Sequence, residues 1–318
     1  MVELLTFGRY LKKKYKKRVK KIPLAISGFT CPNIDGTVAK GGCTFCLNES
    51  FSPNVQKRST PFFLNLSTKS NPILQKQLIE VDEQLKEAKR EFKEKKIANK
   101  FIAYFQAFTN TYAPYDTLVA LYEKALEQKD IIGLSIGTRS DSITKETLKY
   151  LASLSNSYEI WIEYGIQSIY DETLKKINRG HDSKSVERAI KEAKDLGLNV
   201  CGHLIFGLPG ENKEMMLNSA IKSYEWGIDS VKYHPLYVVK GTQLALEYKR
   251  GEFKPISFND YLDVLVEAIS LKPSHISIQR VSAGIDDDTL LAPKWCGYSK
   301  NFILSKIREE LRSKGYIY

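Results

Sequence analysis

Apolar runs of strand length and amphipathic stretches of helix length alternate along most of this chain, and that alternation narrows the possible folds more than any other feature. Strand-like runs stand at Ile22–Ser27, Lys100–Phe105, Ile131–Ile136, Tyr158–Tyr164, Asn199–Phe206 and Ser230–His234. Between them, helices are predicted over about 72–96, 115–128, 144–154, 171–177 with 183–196, and 213–226. In the first of these Leu74, Leu78, Val81, Leu85 and Ala88 recur at alternating spacings of four and three, an apolar stripe on a charged helix. Asn71-Pro72 is its expected start, with Asn as cap and Pro at the first position. Each helical crossover returns the chain to the same end, so six such units predict an α/β fold with a parallel sheet. A curved partial barrel and an open doubly wound sheet both satisfy the pattern. In either, chemistry collects at the carboxyl ends of the strands.

The loop expected after the first strand carries Cys31, Cys43 and Cys46, in Cys31-Pro32-Asn33-Ile34-Asp35-Gly36 and Gly41-Gly42-Cys43-Thr44-Phe45-Cys46. Three thiolates without a fourth nearby suit a metal centre that keeps one coordination position open. Structural zinc is normally closed by four Cys or His ligands, and electron-transfer iron–sulfur clusters take four Cys. An iron–sulfur cluster fits the trio better than zinc, whose nearest fourth ligand in sequence, His181, is distant. A disulfide framework is disfavoured by the odd count of five cysteines and by a start, Met1 to Tyr10, without an apolar signal core. The expected compartment is therefore the cytoplasm. No apolar run approaches the length of a membrane span, so no membrane partner is expected.

The net charge of +11 is concentrated between Arg9 and Lys21, which holds nine basic residues and no acidic one. Beside a cysteine loop, such a block suggests a phosphate-rich partner, RNA or DNA. A solvated arm that aids solubility is the plainer reading, and Tyr10, Leu11, Tyr15 and Val19 could dock it. The division expected is a basic arm at 1–21, a core domain at 22–240 and a helical and strand extension at 241–318. The stretch Leu47–Asn71 reads as a long functional loop.

Several strands end in polar residues: Gln106, Thr109 and Asn110 after the second, Arg139 and Asp141 after the third, Gln167 and Arg179 after the fourth. His203 lies in the fifth and His234 ends the sixth. Singly each has a dull explanation, such as helix capping or a satisfied core histidine. Their shared position, after strands at one face, is what marks them. Cys201, on a strand, is read as core packing, and Cys296 as structural or substrate-contacting.

Taken together these residues resemble the radical SAM superfamily. Cys-Pro-Asn-x-Asp-Gly, Tyr-Phe-Gln-Ala-Phe-Thr-Asn-Thr-Tyr-Ala-Pro, Ile-Asn-Arg-Gly-His-Asp, His-Pro-Leu-Tyr-Val-Val-Lys-Gly-Thr and Leu-Leu-Ala-Pro-Lys-Trp-Cys resemble its YhcC/YtqA-type bacterial branch, related to Elongator catalytic subunits. The resemblance implies a partial (β/α)6 barrel and a [4Fe–4S] cluster on Cys31, Cys43 and Cys46. S-adenosylmethionine (SAM) would bind the remaining iron and be cleaved reductively to a 5′-deoxyadenosyl radical. It further implies SAM contacts from Phe45, Gln167, Arg179, His203 and His234. Gln106-Ala107 stands where relatives carry a Gly-Gly pair that meets the SAM amino group, which shifts those contacts toward Thr109 or Asn110. No acetyltransferase domain like that of Elongator subunits is read here, so no acetyl-CoA reaction is expected.

Three functions follow. The first is modification of a wobble uridine of tRNA, with flavodoxin or ferredoxin as a one-electron donor. The second is radical chemistry on a small metabolite or tetrapyrrole. The third is a non-enzymatic, zinc-bearing RNA-binding protein.

Overall fold

The computed structural model describes residues 1–48, 55, 60, 62–282 and 288–318. Much of the expected functional loop, 49–54, 56–59 and 61, lies outside the described residues. The chain opens with strand β1 (Val2–Glu3), helix α1 (Phe7–Tyr15) and strand β2 (Val19–Leu24). Helix α2 (Leu74–Glu94) leads to β3 (Lys100–Phe105), α3 (Tyr115–Leu126) and β4 (Ile131–Thr138). Then follow α4 (Lys145–Leu154), β5 (Glu159–Gln167), α5 (Asp171–Lys176), α6 (Ser183–Asp195), β6 (Asn199–Phe206), α7 (Lys213–Glu225) and β7 (Ser230–Pro235). The remainder holds β8 (Val238–Val239), α8 (Gln243–Lys249), α9 (Phe258–Leu271), β9 (Ser277–Arg280), β10 (Leu290–Ala292), α10 (Lys300–Ser313) and β11 (Tyr316–Ile317).

Seven strands form one parallel sheet in the order β2-β3-β4-β5-β6-β7-β9. Flat, such a sheet would hold its edge strands roughly 29 Å apart, six spacings of about 4.8 Å. Instead Lys21 on β2 donates to the Gln279 carboxamide oxygen on β9 at 2.5 Å. One hydrogen bond joins the two edges, so the sheet is curled into a partial barrel. The curved alternative is the one realised.

The sheet takes its seventh strand from the stretch beyond residue 240, so the expected core of 22–240 leaves out one wall of the barrel. Ser277-Ile278-Gln279-Arg280 is short and has a single apolar residue, Ile278, so it carries no alternation long enough to be read as a strand. The basic stretch also differs from the expected arm. Residues 7–15 are helical and 19–24 are the first strand, which begins earlier than the predicted Ile22. Helix α1 packs at the amino end of the barrel: just before it the Leu5 carbonyl accepts from the Ile278 amide of β9, while Leu11 and Val19 are buried with Ile102 and Trp161. Phe7 meets Trp161 edge-on at 5.0 Å.

Beneath the helix, buried Glu159 accepts from Tyr10 (2.9 Å), Lys14 (2.6 Å), Tyr15 (2.6 Å) and the Trp161 indole (2.8 Å). Burial raises the Glu159 carboxyl, but these donors outweigh it and hold it below its ordinary value. The cations left exposed are Lys12, Lys13, Lys16, Lys17, Arg18 and Lys20, and none makes an ion pair among the described residues. They stand at the amino end of β2, whereas the cysteine loop leaves its carboxyl end about 16 Å further on. Neighbours in sequence are therefore at opposite ends of the barrel.

Candidate functional site

The carboxyl ends of the strands open into one cavity of about 1420 Å³, and Cys31, Cys43 and Cys46 all line it. The loop that carries them closes on itself. Cys31 accepts through its carbonyl from the amides of Ile34 (2.7 Å) and Asp35 (3.1 Å), and Asn33 likewise from Gly42 (2.8 Å). Gly41 and Gly42 have φ of 82° and 76°, a turn that side chains resist. The loop is then sewn to the segment after α5. Thr44 donates its amide to Ile177, and the Asn178 side chain donates to the carbonyls of Lys40 (3.0 Å) and Gly42 (2.7 Å). Asn33 returns the contact, donating to the Arg179 carbonyl at 2.9 Å and facing the Cys43 sulfur at 3.6 Å.

Arg179 connects the loop to the barrel. Its guanidinium reaches the Cys43 sulfur at 3.7 Å and the Gly165 carbonyl at 2.9 Å, while its own carbonyl accepts from Arg139 at 2.8 Å. Glycine at 165 leaves room for these side-chain ends, because a Cβ would stand 2.6 Å from Arg179 Nη2 and 2.7 Å from Gln167 Nε2 and would displace them. Gln167 sits past a register slip in β5 with φ of 67°, a conformation that costs a non-glycine residue roughly 1 kcal/mol or more. Gln167 Oε1 and Arg179 Nε are buried without a partner among the described residues, although both side chains line the cavity. Polar atoms so placed fit a bound polar molecule better than packing, since leaving them unpaired is costly.

At the base of the cavity one side chain from every strand of the barrel joins a ring, Lys21, Tyr104, Ser135, Glu163, His203, Lys232 and Gln279, of which Tyr104, Glu163 and His203 line the cavity itself. Fully buried Glu163 is the ring's centre, paired with Lys21, Lys232 and Ser135 and with His203 Nε2 at 2.8 Å. Burial raises the Glu163 carboxyl, but the Lys21 and Lys232 ammoniums outweigh it and hold it well below the usual range. Burial pulls Lys232 down to about 8 and His203 to about 4, against the pull of Glu163. His234 lies next to His203, ring centroids 6.0 Å apart, and is held well below an ordinary imidazole by burial and by the charge of Arg280.

Of the side chains expected at a site, Phe45, Gln106, Thr109, Gln167, Arg179, His203 and His234 share the cavity with the cysteines. Asn110 is not among its lining residues: its amide nitrogen donates to the Gly137 carbonyl at 3.0 Å, tying β3's loop to β4. His203 lines the base of the cavity and is held there by Glu163. Cys201 packs with Phe7, Leu11 and Trp161, and Cys296 lines the cavity. Sequence reading missed Lys21, Tyr104, Lys232 and Arg280. A lysine inside an apolar strand, as in Ser230-Val231-Lys232-Tyr233, was the available signal, because an interior strand tolerates a charge only when it is paired.

Two family models match the chain, one for the radical SAM superfamily over residues 35–220 and one for the radical SAM C-terminal domain over 228–313. Protein YhcC of Escherichia coli strain K12 is 37% identical over 91% of this chain and 86% of its own length. The tRNA uridine(34) acetyltransferase of Methanocaldococcus infernus is 34% identical over 48% of this chain and 29% of its own. In fold, the chain is similar to the archaeal Methanocaldococcus infernus Elp3 with an N-terminal deletion. The TM-score is 0.63 at 20% identity, over 93% of this chain and 63% of that one.

Proposed function

Because this chain belongs to the radical SAM superfamily, whose enzymes use a [4Fe–4S] cluster and SAM, we propose that Cys31, Cys43 and Cys46 are its cluster ligands and that the cavity beside them holds SAM. One observation carries this reading: three thiols share a cavity with Gln167 Oε1 and Arg179 Nε, both buried without a partner among the described residues. When bound, the cluster and SAM supply a carbon radical that removes a hydrogen atom from substrate. The chain's own residues bind, orient and shield. The Arg179 guanidinium pairs with the SAM carboxylate while holding Cys43 thiolate charge, a role its fork geometry suits. Gln167 accepts from the ribose, Phe45 packs on the adenine, and Gln106 and Thr109 serve the amino group. His234 meets the adenine edge. His203 orients the floor through Glu163 rather than touching SAM.

The substrate proposed is a tRNA uridine, with a flavodoxin or ferredoxin as electron donor and the cytoplasm as compartment. Similarity to a tRNA uridine(34) acetyltransferase supports it. So does the exposed cation cluster on α1 and β2, although it faces away from the cavity mouth and would grip RNA remote from the reacting base. No helix is long and apolar enough to cross a membrane among the described residues. Mass spectrometry of tRNA nucleosides from a deletion strain tests the substrate, a missing modified uridine being the expected result. An unchanged nucleoside profile, with SAM cleavage intact in the purified protein, would move the substrate to a small metabolite.

A further inference from the structure

Away from the cysteine loop the cavity has a second polar end, lined by His234 of β7, Arg280 at the end of β9, Ser282, and Tyr298 to Lys300 ahead of and at the start of α10. Arg280 makes no hydrogen bond and no ion pair among the described residues, though it is half-buried on the cavity wall. It reaches that wall through a register slip. Ile278 pairs with Val231 and Arg280 with Lys232, so Gln279 is an extra residue in β9. A bulge of this kind re-aims side chains, and here Gln279 turns to Lys21 while Arg280 lines the cavity.

Charge at this end is unbalanced. Lys232 is the register partner of both Arg280 and His203, so three basic side chains form a row across β9, β7 and β6. Glu163 is the one carboxylate of the floor among the described lining residues, and Lys21, Lys232 and His203 already share it. The Lys21 and Lys232 ammoniums also lie over the Tyr104 ring at 4.9 and 4.4 Å, which fixes them in the floor. With His203 lowered to about 4, the Lys21 and Lys232 ammoniums already outnumber the Glu163 carboxylate, and Arg280, without a partner among the described residues, adds a further cation on the cavity wall. In a concave, partly desolvated wall such an excess draws anions.

We propose that this end of the cavity binds an oxyanion carried by the substrate, a phosphate or a carboxylate, with the Arg280 guanidinium as its main contact. The inference rests on the preceding reading only for the place of SAM, whose own carboxylate belongs to Arg179 at the opposite end. A guanidinium is suited to both anions because its fork matches two oxygens at once. If the anion is a nucleotide phosphate, the site grips the substrate base's own backbone. If it is a carboxylate, the substrate is a small acid.

The test is calorimetric titration of anaerobically reconstituted protein saturated with SAM, using inorganic phosphate, succinate, uridine 5′-monophosphate and uridine as probes. The monophosphate should bind at least about tenfold more tightly than uridine, and Arg280→Ala should weaken it about ten- to hundredfold. Arg280→Lys should lose less. Cluster content and SAM affinity should match wild type in both variants, which establishes that they fold. Arg280-dependent binding of succinate without binding of the monophosphate upholds the oxyanion site and removes the RNA reading. Equal affinities in wild type and Arg280→Ala overturn the proposal, as does wild-type protein that binds none of the three anions. Loss of SAM affinity in Arg280→Ala also overturns it, because the guanidinium would then serve SAM.

Discussion

Arg179 spends its guanidinium on a cysteine sulfur and a strand carbonyl, and its Nε in the cavity wall has no partner among the described residues. Arg179→Ala should therefore weaken SAM binding by about 1.5–3 kcal/mol, the usual worth of a charge-assisted contact. Equilibrium dialysis of the reconstituted protein measures it, and an unchanged affinity would take the carboxylate contact away from this residue. Gly165→Ala offers an independent probe of the same geometry. The new methyl would intrude on Arg179 and Gln167 together, so SAM affinity should fall while Lys21, Lys232 and Glu163 below are undisturbed. Replacement of Cys31, Cys43 or Cys46 by Ala should abolish the brown chromophore and the roughly four iron and four sulfide per chain expected of wild type. Cys201→Ala should keep both, its thiol being packed against α1.

Helix α1 shows how a strongly charged element is held by its few apolar and aromatic residues. Tyr10, Leu11, Tyr15 and Val19, the residues expected to dock the basic stretch, do so: Leu11 is 1% exposed, Val19 is buried, and Tyr10 and Tyr15 join Lys14 on buried Glu159. Leu11→Ala should destabilise the protein by about 2–5 kcal/mol, as buried Leu truncations do, and urea unfolding would measure it. A cost below 0.5 kcal/mol would mean that the helix is not part of the cooperative core. The opposite face of the same helix is free for another task. Changing Lys12, Lys13, Lys16, Lys17 and Arg18 to Ser should leave stability and SAM cleavage near wild type. It should flatten the salt dependence of tRNA binding by roughly one unit of log–log slope per lost phosphate contact. An identical slope in the variant would reduce the patch to a solubility feature.

At the scale of the whole barrel, closure buries histidines that cannot easily carry charge. His203 is lowered to about 4 and His234 falls well below 6.5, whereas both would titrate near 6.5 in the unfolded chain. Between about pH 6.5 and 4 the unfolded state therefore holds protons that the folded state lacks, and stability falls as pH drops. Each histidine contributes a slope of up to about 1.4 kcal/mol per pH unit. Glu163 acts lower: its carboxyl is depressed, so its contribution is present above about 4.5 and is lost only as pH falls through its folded value. Urea midpoints of cluster-free protein at pH 7 and pH 5.5 should separate clearly, and His234→Gln should reduce the difference. Equal midpoints would show that these rings are hydrated and titrate freely.

Much was legible in the sequence because it is local. The alternation of strand and helix depends on the spacing of apolar residues within a few turns, and six barrel strands and their crossovers stand where that spacing places them, the first shifted toward the amino terminus. The three cysteines and the glycines between them are likewise a short-range pattern, so the loop on the cavity rim could be picked out residue by residue. Tertiary closure decided the rest. A seventh strand of four residues, three of them polar, becomes a strand only because β7 offers it an open edge. Lys21, Glu163 and Lys232 are ordinary charges until the curl brings β2, β5 and β7 within reach of one another. The basic stretch neighbours the cysteine loop in sequence and is held a strand's length from it in space, because β2 runs between them. Arg280 faces the cavity only after a bulge turns it there, and no periodicity records the position of a bulge.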